Sequence, residues 1–173
     1  MAFRVEFRPR NIDFGPTNSL FNGYQADTEK INGILDIADK FDVVLFSAEN
    51  TLIKDGFTLP SGAVVVPQLR QMGKKLAVFS VDERCSREET TAKMNHHGLS
   101  FTPERILQRS DLAKLDEKFP LASRRRILMV CSDLVSEVTL GQSHQLTTLL
   151  VVFDHQDKTQ ALGIEPDFIS FSV

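Results

Sequence analysis

The sequence predicts a three-layer α/β/α domain built on a parallel sheet, and three observations carry that prediction. Short β-rich apolar runs recur at 41–46 (FDVVLF), 76–80 (LAVFS), 127–131 (ILMVC) and 148–153 (TLLVVF). Each run is continuously apolar rather than alternating, the pattern of a strand buried on both faces. Segments with helical spacing or helix-start signals lie between the runs, so right-handed βαβ crossovers should cover the sheet on both sides.

Size and composition agree with one globular domain. The chain has 173 residues, close to the roughly 150 of a single domain. Its 42% hydrophobic and 25% charged content is ordinary for a folded protein and excludes a wholly disordered chain. With 20 Lys+Arg against 23 Asp+Glu, the net charge of −3 gives no general attraction to nucleic acid or to an anionic membrane. No apolar run approaches the roughly 20 residues of a membrane span, and no secretory signal opens the chain. The two cysteines, Cys85 and Cys131, are too few for a disulfide framework. A reducing, cytoplasmic location is the expectation.

Taken in order, residues 1–24 read as an irregular N-terminal arm, with turn signals at Gly15-Pro16, Asn18 and Asn22-Gly23. The remaining 25–173 read as the single domain. Ile31, Ile34, Leu35 and Ala38 fall at i, i+3, i+4 and i+7, which predicts a helix over about 27–40. After the first strand, a loop with Asp55-Gly56 and Pro60-Ser61-Gly62 leads to a helical stretch ending at Gly73. Following the second strand, Ser86-Arg87-Glu88-Glu89 is a capping box opening a helix that runs to Gly98. Residues 111–119 read as a shorter helix stopped by Pro120, and 134–145 as a helix after the third strand. A last strand is expected over 168–173.

In such sheets ligands bind beyond the carboxyl ends of the strands, where strand order reverses. That rule selects three loops: Ser47-Ala48-Glu49-Asn50-Thr51-Leu52, Ser80-Val81-Asp82 and Cys131-Ser132-Asp133.

The residues around these loops carry a family resemblance. FDVVLFSAENTLIKDGFTLPSGA (41–63) resembles the first motif, hhhhDxDGTL, of the haloacid dehalogenase-like (HAD) phosphatases. GKKLAVFSVDERCSREE (73–89) is similar to the GK(K/R)xxxVTNNSxxSRxx segment of the phosphoglycolate and p-nitrophenyl phosphatase-like branch. Gly98-Leu99 with FTPERIL (101–107) resembles that branch's GL…VTPExI. ILMVCSDLVSEVTLGQSHQLTTLLVVF (127–153) resembles ILMVGDxxxTDIxxGxxxGxxTLLVxTG, and Pro166-Asp167-Phe168 its later PD(F/Y). The resemblance runs from about residue 41 onward and implies a Rossmann-like, HAD-like core. That branch carries a large cap between its second and third motifs, and about twenty residues separate Ile106 from Ile127, so no cap domain is expected.

The resemblance places the active-site positions, and their letters have changed. Ser47 stands at the nucleophile position in place of the first Asp, and Glu49 at the acid/base position. A serine hydroxyl needs an adjacent base, and no His or Lys in the sequence is identifiable as one; Glu49 keeps a carboxyl able to move a proton. Asn50 replaces the Gly of a tight turn, in a left-handed conformation that Asn tolerates. The family's Mg²⁺ ligands map to Ser47 and Ser132, with Glu137 at the later Asp of GDxxxTD and Asp133 a possible substitute one residue away. Mg²⁺ is usually held by one or two carboxylates plus substrate oxygens and water. Ser80 matches the phosphate-binding Thr/Ser; Val81 and Asp82 replace Asn-Asn, and Glu83 follows. Lys114 and Lys118 lie where a catalytic Lys is sought, without the usual Pro after it.

Ordinary structural roles compete for most of these residues. Ser47 reads as a small polar residue at a strand end, Ser132 as the N-cap of the next helix, and Glu49 and Glu137 as solvated or capping carboxylates as readily as ligands. Cys131 reads as a buried small hydrophobe. The four histidines lack metal-ligand spacing. Arg124-Arg125-Arg126 reads as a solvated turn, and the 13 phenylalanines as core. The functional expectation is a catalytically impaired pseudophosphatase with a binding, regulatory or scaffolding role. It has no cofactor, and a protein partner or self-association is expected rather than nucleic acid or membrane. The alternative is a weak Mg²⁺-dependent phosphatase for small phosphate esters, using Glu49, Asp133 and Glu137.

Overall fold

A computed structural model describes residues 28–80, 84–152 and 163–173. The expected arm at 1–24 lies outside them. Among the described residues, no helix is long and apolar enough to cross a membrane.

The described strands are β1 (Glu29–Lys30), β2 (Val43–Ser47), β3 (Ile53–Lys54), β4 (Phe57–Thr58), β5 (Lys75–Phe79), β6 (Ile106–Leu107), β7 (Ile127–Cys131), β8 (Thr147–Val151) and β9 (Phe168–Ser170). The helices are α1 (Pro60–Gln71), α2 (Arg87–His96), α3 (Leu115–Lys118) and α4 (Thr139–Ser143). β3 and β4 form an antiparallel hairpin; the other seven strands form one sheet in the order β1-β9-β8-β7-β2-β5-β6, paired in parallel throughout. The chain builds outward from β2 to β5 and β6, then returns to β2's other side for β7, β8 and β9. Strand order therefore reverses at β2, and the carboxyl ends of β5, β2 and β7 meet there.

Burial explains the unbroken apolar runs. Val44, Phe46, Val78, Leu128 and Val130 face one layer, with Val65, Val66 and Leu69 of α1 and Met94 of α2. Val43, Leu45, Ala77, Phe79, Met129 and Cys131 face the other, with Leu112, Leu115, Phe119, Leu134 and Val138. Neighbouring residues along a strand point to opposite faces, and here both faces are covered. α4 can lie close to the sheet because residue 141 is glycine. A Cβ there would come within 2.9 Å of Met129 Sδ and of Thr148 Cγ2.

Several local expectations need correction. The helix over 27–40 is replaced by edge strand β1 and two single 3₁₀ turns, Ile34–Asp36 and Ala38–Lys40. Gly33 is fully extended, and the Asn32 N–H donates to Asp36 Oδ2 at 3.0 Å, so turning begins only afterwards. Ile34 and Ile37 are buried, at the three-residue spacing of a 3₁₀ turn, whereas Leu35 is exposed. The helix over 111–119 divides into a 3₁₀ stretch, Arg109–Lys114, and α3. That over 134–145 begins as one π turn, Leu134–Val138, before α4. The helix α2 opens as expected, with Ser86 Oγ accepting from the Glu89 N–H at 3.1 Å. Residues 108–126 hold only short turns and α3, so no cap is inserted there. The arginine triplet is not a merely solvated turn. Arg124 donates to the carbonyls of Leu112 and His144, Arg125 to that of Leu146, and Arg126 grips Asp42.

Candidate functional site

The site is assembled where three buried strands end. Ser47 closes β2, 5% exposed, and Ser132 and Asp133 follow β7. Glu137 hangs from the π turn, which sets the Glu137 and Val138 N–H groups on the same acceptor, the Asp133 carbonyl, both at 3.2 Å. The turn carries the Glu137 side chain back toward the strand ends. Its carboxylate is only 5% exposed, so it is not the solvated group that the sequence allowed.

Both carboxylate oxygens of Glu137 are occupied by donors of the protein itself. Ser47 Oγ donates to Oε2 at 2.7 Å. Oε1 accepts from the Ser132 N–H at 2.6 Å, the Asp133 N–H at 3.3 Å and Ser132 Oγ at 3.3 Å. Burial pushes the Glu137 carboxyl above its ordinary value, while the bonds from Ser47, Ser132 and Asp133 oppose that shift. The Ser47–Glu137 contact joins β2 to the loop after β7 across 90 residues of sequence. The sequence shows no His or Lys placed as a base for Ser47; the group that accepts the hydrogen bond from its hydroxyl is the Glu137 carboxylate.

Ser132 is not the N-cap. Its N–H and hydroxyl are turned to Glu137, and Asp133 caps the next turn instead, accepting from the Ser136 N–H at 2.8 Å and from the Ser136 hydroxyl. Asp133's carboxylate is thereby committed outside the Ser47–Glu137 cluster. Cys131 is fully buried and its thiol is pushed well up by burial, with Glu137 and Asp133 adding to the effect. It is an inert core thiol, as expected.

Glu49 lies apart from this cluster. The turn after β2 places Asn50 at φ 65, a left-handed conformation that Asn tolerates, and turns the exposed Glu49 outward. There Lys93 of α2 forms an ion pair with its Oε2. Lys93 went unremarked in the sequence, although it sits seven residues beyond the Ser86 cap. One turn later on the same helix side, His97 Nδ1 lies 3.0 Å from Thr58 Oγ1 of the hairpin. Ser80 follows β5, its N–H donating to the Leu107 carbonyl at 3.1 Å. Val81, Asp82 and Glu83, the remainder of that loop, lie outside the described residues. Lys118 is drawn to Asp111 at 3.8 Å.

The donor set does not fit the cation that the resemblance implies. Mg²⁺ takes hard, negatively charged oxygens in near-octahedral geometry. Here one carboxylate and two serine hydroxyls face each other, and N–H and O–H donors point at the carboxylate oxygens. Among the described residues, no cluster of three His, Cys, Asp or Glu side chains is arranged to hold a metal.

The comparisons agree with the fold. No family model matches the chain. A 4-nitrophenylphosphatase of Schizosaccharomyces pombe is 32% identical over 84 residues, covering 49% of this chain and 24% of that protein. The chain thus matches about a quarter of that relative's length. The crystal structure of a Thermotoga maritima 4-nitrophenylphosphatase superposes with a TM-score of 0.69 at 11% identity, covering 78% of this chain and 95% of that one. A possible sugar phosphatase of the HAD superfamily from Cytophaga hutchinsonii gives 0.69 at 14% identity, over 83% and 98%. NagD from E. coli K-12 gives 0.62 at 9% identity, over 76% and 96%. At these identities the structures bear on the fold alone.

Proposed function

We propose that this chain is a HAD-superfamily domain of the 4-nitrophenylphosphatase/NagD-like branch, a reading its likeness to those proteins supports, and that it is a pseudophosphatase that acts by binding or scaffolding. The observation that supports this reading is the capture of Glu137. Among the described residues, the carboxylate facing Ser47 accepts from Ser47, Ser132 and Asp133 rather than being left open to a cation. At the attacking position a serine replaces a carboxylate, and the base beside it, Glu137, is also held by the Ser132 and Asp133 N–H groups, so the cluster offers a phosphate little charge neutralisation. Glu49 is exposed and turned outward to Lys93 of α2, apart from the Ser47–Glu137 cluster. Losing coupled members of a catalytic unit removes on the order of 10⁶ in turnover, about 8 kcal/mol of transition-state stabilisation. No cofactor is needed for such a role. The two cysteines and the lack of any apolar span in the sequence support a cytoplasmic setting.

The assay is p-nitrophenyl phosphate hydrolysis with and without Mg²⁺. The expected result is no turnover above buffer in either condition. Mg²⁺-dependent turnover that Glu49→Ala abolishes overturns the proposal in favour of a weak phosphatase for small phosphate esters. A gain of Mg²⁺ binding in the double variant Ser47→Asp/Ser132→Asp, read by calorimetry, shows the scaffold ready for the ion and only the ligands missing.

A further inference from the structure

At the amino edge of the sheet, opposite the site above, a groove of about 480 Å³ opens between the α1–β5 turn and the loop before β7. Two of the large apolar side chains that the described surface exposes line it: Met72, 47% exposed, and Leu121, 94% exposed. The buried Phe119 and Val43 supply its floor. Leu121 is held out by geometry, because a tight turn closes behind it through the Ala122 N–H to the Phe119 carbonyl at 3.1 Å. Apolar side chains presented on fixed backbone lose little entropy on binding.

The charge of the groove is one-sided. Lys74 and Lys75 line it, and its one acid, Asp42, is held by Arg126 through Nε at 2.7 Å and Nη2 at 2.9 Å. The hydrogen bond from Arg126 keeps the Asp42 carboxyl below the usual range, and the positive charges of Arg126, Lys74 and Lys75 act in the same direction. Lys74 and Lys75 thus outnumber the one acid of the lining, which Arg126 already holds, in a chain whose net charge is −3. Two lysines fall short of the clusters of roughly four to eight that bind anionic lipid headgroups.

We propose that this groove docks an extended peptide segment of a partner protein, an apolar side chain entering between Met72 and Leu121 while flanking carboxylates meet Lys74 and Lys75. The occupant is fixed by complementarity: apolar to fill the walls, acidic to meet the unbalanced cations. This inference is independent of whether the opposite edge hydrolyses phosphate.

The test is a phage-displayed library of random heptapeptides, panned on the full chain at low ionic strength and counter-selected on Lys74→Glu/Lys75→Glu. Peptides carrying an apolar residue beside Asp or Glu are expected to be enriched. In titrations of a fluorescein-labelled winner, the double lysine variant and, separately, Leu121→Ser should each weaken binding by about tenfold or more, and salt should weaken it further. Phe57→Ser, an exposed position on β4 outside the groove, should leave it unchanged, and thermal melts confirm that each variant is folded. Enrichment of basic or purely apolar peptides, no enrichment at all, or equal affinity for the variants overturns the proposal. So does light scattering that shows this face closing on a second copy of the chain.

Discussion

Two carboxylates, one at each edge of the sheet, are held under opposite physics. At the carboxyl edge, Glu137 is buried and surrounded by hydrogen-bond donors without a formal charge, and its carboxyl is pushed up. At the amino edge, Asp42 is half exposed and clasped by a guanidinium, and its carboxyl is pulled down. Desolvation governs the first and a hydrogen-bonded countercharge the second. Removing a partner therefore matters far more at the carboxyl edge, where water cannot replace it.

The largest effect that tests this contrast is Glu137→Ala. It leaves the Ser47 hydroxyl and the N–H groups of Ser132 and Asp133 without their acceptor, and should lower unfolding free energy by about 2–4 kcal/mol in urea titration. Ser47→Ala removes one donor to a buried carboxylate and should lose about 1.5–3 kcal/mol at neutral pH, less in acid, where the carboxyl is protonated. A loss no greater than that of an exposed Ser→Ala control in either variant would break the contrast.

The pH response sharpens it. Because the native state of Glu137 keeps its proton to higher pH than the unfolded chain does, that group's contribution is full below the ordinary glutamate range. It is lost as pH rises through the raised native value. Glu137→Gln, which still accepts from the N–H pair and can donate to Ser47 Oγ, should flatten this part of the stability profile. Asp42 gives the opposite sign: its contribution is present above the unfolded aspartate range and is lost as pH falls through the lowered native value. Being exposed, it yields the smallest effect, and Asp42→Asn should scarcely move the melting temperature.

Sequence carried the sheet because double-sided burial demands continuous apolar runs, and 127–131 is a strand with the same limits. It failed over 27–40, where Ile34 and Ile37 satisfy the same core from 3₁₀ turns and the extended Gly33 breaks the continuity that a 3.6-residue period assumes. The motif positions were legible: Ser47, Ser132 and Glu137 do converge. What they do to each other was not, since a serine beside a carboxylate reads in sequence as two lost or altered letters. Only the close approach of β2 and the π turn makes them a hydrogen-bonded pair. Lys93 was hidden for a similar reason, as nothing on an exposed helix face announces that a loop 44 residues earlier will reach it.

The pairing of β1 with β9 has a kinetic consequence. The Thr28 hydroxyl meets the Pro166 carbonyl across 138 residues of sequence, and Glu29 and Ile31 donate to Asp167 and Ile169 on the same margin. Closing so long a loop comes late in folding. The amide hydrogens of Glu29 and Ile31 should thus exchange with deuterium well before those of Leu45 or Met129, opening this seam while the centre stays shut.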